Sequence, residues 1–157
     1  MDKMPLSPEL LVANSVLNVA SKDNQLISPM KLQKLIYFIY KRYLKKNSRP
    51  LFDEYFEVWQ FGPVLPSVYR EFKAYGASSI TDYAYEVFDN YKRVYVINKK
   101  AKDFYDALKF VWQKYRHYNG TELSVLTHGK DTAWAKTLEN NQLYIADEDI
   151  ALERWKS

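Results

Sequence analysis

The side chains able to do acid–base or nucleophilic chemistry are few in this chain and poorly spaced for it. With two histidines, His117 and His128, and no cysteine, thiolate catalysis, disulfides and thiolate zinc sites are excluded, and any metal would depend on carboxylates. Carboxylates cluster as Asp53-Glu54 and as Asp147-Glu148-Asp149, but they are adjacent rather than convergent, and both groups read better as turn and helix-start residues. Neither histidine has a nucleophile beside it in a recognisable arrangement, and four glycines in all leave little room for a phosphate-binding loop. His128 could act as a proton carrier or contact residue. The preferred reading is a helix-end histidine beside Gly129 that bonds a terminal carbonyl. The chain is read as a non-enzyme with no cofactor and no metal.

Binding chemistry is better represented. Lys45, Lys46 and Arg49 make the densest basic patch, and a regulator could use them with Lys41 and Arg42 to contact the phosphates of a nucleic acid. Basic residues are expected at a helix C-terminus anyway, and nothing aromatic interleaves Lys45, Lys46 and Arg49 in a stacking arrangement, so nucleic acid is the disfavoured partner. A net charge of +4, from 23 basic and 19 acidic residues, permits a polyanion partner without demanding one. Fourteen tyrosines, eight phenylalanines and four tryptophans say more, since such rings pack at one end and hydrogen-bond at the other, in cores and at protein interfaces alike. Trp59 and Trp134 are candidate interface anchors, although large aromatics are more often core residues.

Helices must carry these side chains. Ser28 followed by Pro29 is a cap and a first-turn proline, and the spacing predicts a helix over 28–45 with Leu32, Leu35, Ile36, Ile39, Tyr40 and Tyr43 on one face. Tyr37 and Phe38 widen that face, which predicts a helix packed from two sides and central to the domain. Lys31, Gln33, Lys34 and Lys41 are expected mostly off it. Ser7-Pro8 opens a first helix to about Ser21, and a helix entered near Leu65 or Pro66 stops at Gly76. Asn98 is read as the cap of a helix over 99–118, and Thr121 as the cap of a short helix ended by a left-handed Gly129. Asp131 or Thr132 starts another, and Asp147 or Asp149 a closing one. Segments 55–61 and 93–97 are read as strands paired antiparallel, with Gly62-Pro63 ending the first. The fold class is mainly α (α+β): six or seven helices around the central helix 28–45, with a small two- or three-stranded antiparallel sheet, in a single domain over 1–157.

Glu9, Asn14 and Asn18 interrupt the apolar N-terminal stretch, so it reads as mature sequence rather than as a signal peptide. No run approaches the roughly 20 apolar residues of a membrane span. A cysteine-free chain without such a span is expected to be cytoplasmic.

Three segments, in this order, resemble a known family. SPMKLQKLIYF at 28–38, WQFGPVLPSVY at 59–69 with Gly76 behind it, and LSVLTHGKDTAW at 123–134 are similar to the Panacea domain of SocA-like antitoxins, often found in prophages and mobile elements. Gly62-Pro63-Val64, and Thr127-His128 followed by Trp134, are the most telling; the usual proline before that tryptophan is Ala133 here. The resemblance implies a mainly helical domain without enzymatic activity that neutralises a cognate toxin by direct binding. One branch of the family is similar to adaptors that deliver a bound toxin to an ATP-dependent protease, which is an alternative. Some members carry an added DNA-binding segment, for which a first helix starting at Pro8 leaves no room. Homo-oligomerisation is left open.

Among the motif residues, Trp59, Gly62, Pro63 and Tyr69 are expected to form a strand-to-helix corner, and Thr127, His128 and Trp134 a helix-to-helix corner. Either would shape a groove beside the central helix for a partner protein. The preferred alternative is that they mainly preserve the fold, because a scaffold that meets different toxins keeps its frame and varies its contact surface.

Overall fold

A serine followed by a proline starts both N-terminal helices. The computed structural model, which describes residues 5–156, places α1 at Pro8–Lys22 and α2 at Pro29–Asn47. Ser7 and Ser28 accept from the backbone N–H groups of Leu10 and Lys31, each at 3.2 Å, meeting donors that a helix start leaves unpaired. The chain continues through β1 (Glu57–Trp59), β2 (Gly62–Val64), α3 (Pro66–Phe72), β3 (Glu86–Phe88), β4 (Tyr91–Arg93), α4 (Lys102–Tyr115), α5 (Gly120–His128), α6 (Ala133–Glu139) and α7 (Asp147–Leu152). This is the expected mainly helical α+β architecture, and among the described residues no helix is long and apolar enough to cross a membrane.

The hub is α2. Its residues Leu35 to Tyr40 are all buried, with α4 and α5 along it and α1, β2, α3 and α7 on the remaining sides. Phe38 stacks on Tyr115 of α4 with ring centroids 4.4 Å apart, and Tyr37 and Tyr40 meet Phe56 edge-on at 5.1 and 5.4 Å. The hydroxyls of these same tyrosines fasten the C-terminal segment: Tyr37 donates to Glu153 at 2.9 Å, Tyr40 to Asp147 at 2.7 Å and Tyr115 to the Lys156 carbonyl at 2.7 Å. Each ring therefore fills the core at one end and ties down α7 and the residues after it at the other. Enclosure on every side leaves α2 no polar face along this stretch, which corrects one expectation. Lys31, Gln33, Lys34 and Lys41 are buried rather than solvated.

The strands also depart from expectation. Segments 55–61 and 93–97 do not pair with each other. Instead β1 pairs with β2 across Gln60-Phe61, and β3 with β4 across Asp89-Asn90, giving two separate antiparallel hairpins. Asp89 and Asn90 take φ values of 52° and 65°, the left-handed pair that turns a tight hairpin and that Asp and Asn tolerate. Gly62-Pro63 does not end a strand but begins the returning one, and a bridge between Glu57 and Tyr144 covers the other edge of β1.

Three helix boundaries differ as well. Helix α4 starts at Lys102 with no side-chain cap, while Asn98 serves the turn before it by accepting from the Lys100 N–H at 2.8 Å. Helix α5 is capped by Asn119, whose side chain and that of Glu122 each accept from the other's backbone N–H, the reciprocal capping box. Gly129 is extended, with φ −75° and ψ −177°, rather than left-handed.

A candidate partner-binding groove built on the first hairpin

A two-residue hairpin leaves carbonyls around its turn without strand partners, and here helix side chains supply the donors. Lys34 Nζ of α2 donates to the Pro63 carbonyl at 3.0 Å, Ser124 Oγ of α5 to the Phe61 carbonyl at 2.6 Å, and Trp134 Nε1 of α6 to the Trp59 carbonyl at 2.8 Å. Gln33 binds both backbone groups of Leu65, donating to its carbonyl at 3.0 Å and accepting from its N–H at 2.9 Å, so a carboxamide stands in for a neighbouring strand. The seat is tight enough to require glycine at position 62. Its φ is +114°, and a Cβ there would lie 2.6 Å from Thr127 Oγ1 and 3.1 Å from Lys34 Nζ.

All seven motif residues meet at this hairpin. Trp59 packs edge-on to Tyr69 at 4.8 Å and donates its own Nε1–H to Glu57 at 2.9 Å. Thr127 is buried with its hydroxyl on the Ser124 carbonyl at 2.8 Å, and the His128 ring lies edge-on to Trp134 at 5.3 Å. Between α2, the hairpin and α3 runs a groove of about 350 Å³. Trp59 and Tyr69 line it together with Met30, Phe61, Val68 and Phe72, and Phe61 and Tyr69 are exposed. Gly62, Pro63, Thr127, His128 and Trp134 lie outside this lining: Gly62 and Pro63 belong to the hairpin that forms one wall, Trp134 bonds that hairpin from α6, and Thr127 and His128 stand behind it on α5.

The charges are distributed differently from the basic patch read in sequence. Lys41 is buried, 2.8 Å from Glu153 in an ion pair, and burial pulls its ammonium below the ordinary lysine range against the opposing pull of Glu153. Arg42 lies over the Phe110 ring at 3.8 Å, Lys45 donates to the Ala151 carbonyl at 2.7 Å, and Arg49 pairs with Asp103 at 3.2 Å. Of the five, Lys46 is the exposed residue without a partner named here. They do not form one phosphate-facing track. Lys34, in contrast, faces no carboxylate within ion-pair reach among the described residues, and burial brings its ammonium down to about 7.

Ser124 and His128 make a hydroxyl–imidazole pair near this groove, with Oγ and Nδ1 3.4 Å apart. The Ser124 hydroxyl is already given to the Phe61 carbonyl, and Nδ1–H to the Ser124 carbonyl at 2.6 Å. Both protons are spent on backbone oxygens, so the ring does not activate the hydroxyl. Among the described residues no group of three or more His, Cys, Asp or Glu side chains is placed to hold a metal.

Sequence reading missed Gln33, Lys34 and Ser124 as residues that position this site. A signal for the lysine was present: Lys34 and Lys41 are seven apart, on one side of the helix, and the six residues between them are all apolar or aromatic, leaving no solvated face to receive either.

A family model described as "Antitoxin SocA-like, Panacea domain" matches residues 32–135, from the first turns of α2 into α6 and so across both hairpins and the groove. The chain belongs to this family. Antitoxin SocA of Caulobacter vibrioides (strain NA1000 / CB15N) is 33% identical over 125 residues, which are 78% of this chain and 66% of that relative. The chain thus spans just under two thirds of the length of the curated relative it matches. No solved structure matches it. In this Panacea domain, the matched span contains every side chain that seats the first hairpin, Trp59's partner Glu57 included.

Proposed function

We propose that this Panacea domain is an antitoxin that neutralises a toxin by binding it directly, with the groove between α2, the first hairpin and α3 as a contact site. The observation that carries this is the groove itself: an apolar cleft whose wall is fixed by three helix side chains and whose rim presents Phe61 and Tyr69 to solvent. A pre-formed aromatic surface loses little conformational entropy on binding, and aromatic side chains carry a large share of interface energy. The relative named Antitoxin SocA supports the same role.

The test is co-expression with the protein encoded by the adjacent gene. Rescue of growth, together with co-elution of the two proteins in size-exclusion chromatography, is the expected result. Direct occlusion leaves the partner's cellular level unchanged while its toxicity disappears; a level that falls only when an ATP-dependent protease is present would reassign the chain to delivery. Rescue without any complex, or no rescue at all, would sink the reading.

A further inference from the structure

Asn14, buried in α1, donates to the carbonyls of Ala84 and Tyr95 and accepts from the Ala84 N–H, all at 2.9 Å. Its neighbour Ser15 accepts from the Ile97 N–H at 2.9 Å. Two adjacent residues of one helix thus clamp both legs of the second hairpin, and the part beyond them projects. It carries Phe88 at 56% exposure, Tyr91 at 69%, Tyr95 at 44% and Val94 at 42%. Around these, residues 90–102 hold Lys92, Arg93, Lys99, Lys100 and Lys102 and no acidic residue. On the other leg Glu86, opposite Arg93, is taken up by the Leu6 N–H at 3.0 Å; exposed aromatics flanked by cations along the returning leg have the composition of an interface.

We propose that the β3–β4 hairpin is a second contact surface for the toxin, one that takes a protein face with acidic residues around an apolar centre. The inference rests on the antitoxin reading above. The sign of the partner's charge follows from complementarity to the uninterrupted basic stretch. Three of the cations lie over rings of this chain: Lys92 over Tyr85 at 4.5 Å, Arg93 over Phe88 at 4.8 Å and Lys99 over Tyr105 at 4.4 Å. This orients the cations in advance and, of the exposed rings, occupies one face of Phe88. Asp82 lies 3.6 Å from Lys92, Asp89 sits at the turn, and Asp103 follows the last lysine. Bounded by carboxylates in this way, the cations give a nucleic-acid backbone no continuing track, whereas a compact acidic protein face fits between them. The hairpin also lies outside the motif segments 28–38, 59–76 and 123–134, where a contact surface can differ while the scaffold is kept.

The experiment uses the full chain with the protein encoded by the adjacent gene, and two hairpin variants: Tyr91→Ala combined with Arg93→Glu, and Lys99→Glu combined with Lys100→Glu. Wild-type rescue of growth tests the antitoxin reading alone, and its failure removes that reading and this one together. Given that rescue, each variant is expected to keep the wild-type circular dichroism spectrum and melting temperature, while its Kd for the purified partner rises about tenfold or more and loses part of its salt dependence. A folded variant that binds and rescues as wild type does overturns the hairpin surface and leaves the antitoxin reading standing. So does a fluorescent oligothymidylate whose binding is lost in the variants while partner affinity is unchanged.

Discussion

The Lys34 ammonium lies 3.0 Å from the Pro63 carbonyl oxygen and so ties α2 to the first hairpin. Burial lowers this lysine from an ordinary 10.5 to about 7. Between those values the unfolded chain holds a proton that the native state has lost, so stability rises with pH across that window, by up to about 1.4 kcal/mol per unit for one proton. Below about pH 7 both states are protonated and the contribution is flat at its lowest. Lys34→Met removes the titrating group while keeping most of the stem. In chemical denaturation from about pH 7 to about pH 9.5, wild type is expected to gain steadily on the variant. Tyr37, Tyr40 and Tyr115, all raised by burial, act the other way above the ordinary tyrosine range but equally in both proteins. A constant gap between the two curves would mean that Lys34 stays charged in the native state.

Gly62→Ala adds a methyl group where there is room for none. The backbone angle is one that L-residues rarely adopt, and the new carbon would lie 2.6 Å from Thr127 Oγ1. Strain and overlap together are expected to cost about 3 kcal/mol and to lower the melting temperature by roughly 6–12 °C. Combining it with Thr127→Ala removes the nearest atom but not the backbone strain, so the double variant should lose less than the two single losses added together. Additive losses in thermal melts would show that the overlap is relieved some other way.

Legibility divides along the same line. The starts of α1 and α2 are local statements, a serine and a proline in succession, and they are where the sequence puts them. The hairpins are not local. Each strand is three residues long, too short for alternation to show. The first hairpin's position is set by Lys34, Ser124 and Trp134, donors on three helices that all lie far from it in the chain. For the same reason the order of the motifs was readable but their division of labour was not. Whether Trp59 faces a groove or Trp134 holds it from behind depends on how α6 docks against β1, which no spacing rule states.

Glu153 is the clearest example of a residue whose weight is invisible in sequence. It accepts from Lys41 at 2.8 Å, from the Tyr37 hydroxyl at 2.9 Å and from the Ala133 N–H at 2.8 Å, all within the core. Lys41→Met would leave a buried carboxylate without its counter-charge, at a cost of about 3–5 kcal/mol. Adding Glu153→Gln turns that carboxylate into a neutral amide whose oxygen can still accept from Tyr37 and Ala133, and is expected to restore about half of the loss or more. Urea titrations of the two single variants and the double give the coupling directly; a double variant no more stable than Lys41→Met would show that the charge was not the cause.

Tyr69 and Trp134 separate partner binding from scaffold. Tyr69 is 43% exposed at the groove rim, so Tyr69→Ala should cost about 1 kcal/mol or less in stability, while a ring buried beneath a toxin would raise Kd about tenfold. Trp134→Phe keeps an aromatic ring but deletes the donor that the Trp59 carbonyl meets at 2.8 Å, costing about 1–2 kcal/mol and loosening the wall without removing any groove atom. The expected pattern is therefore crossed: Tyr69→Ala melts within about 4 °C of wild type and neutralises poorly, whereas Trp134→Phe neutralises normally at temperatures where it is folded although it melts up to roughly 8 °C earlier. If Tyr69→Ala protects cells as well as wild type does, the groove is scaffold and the contact surface lies elsewhere on the molecule.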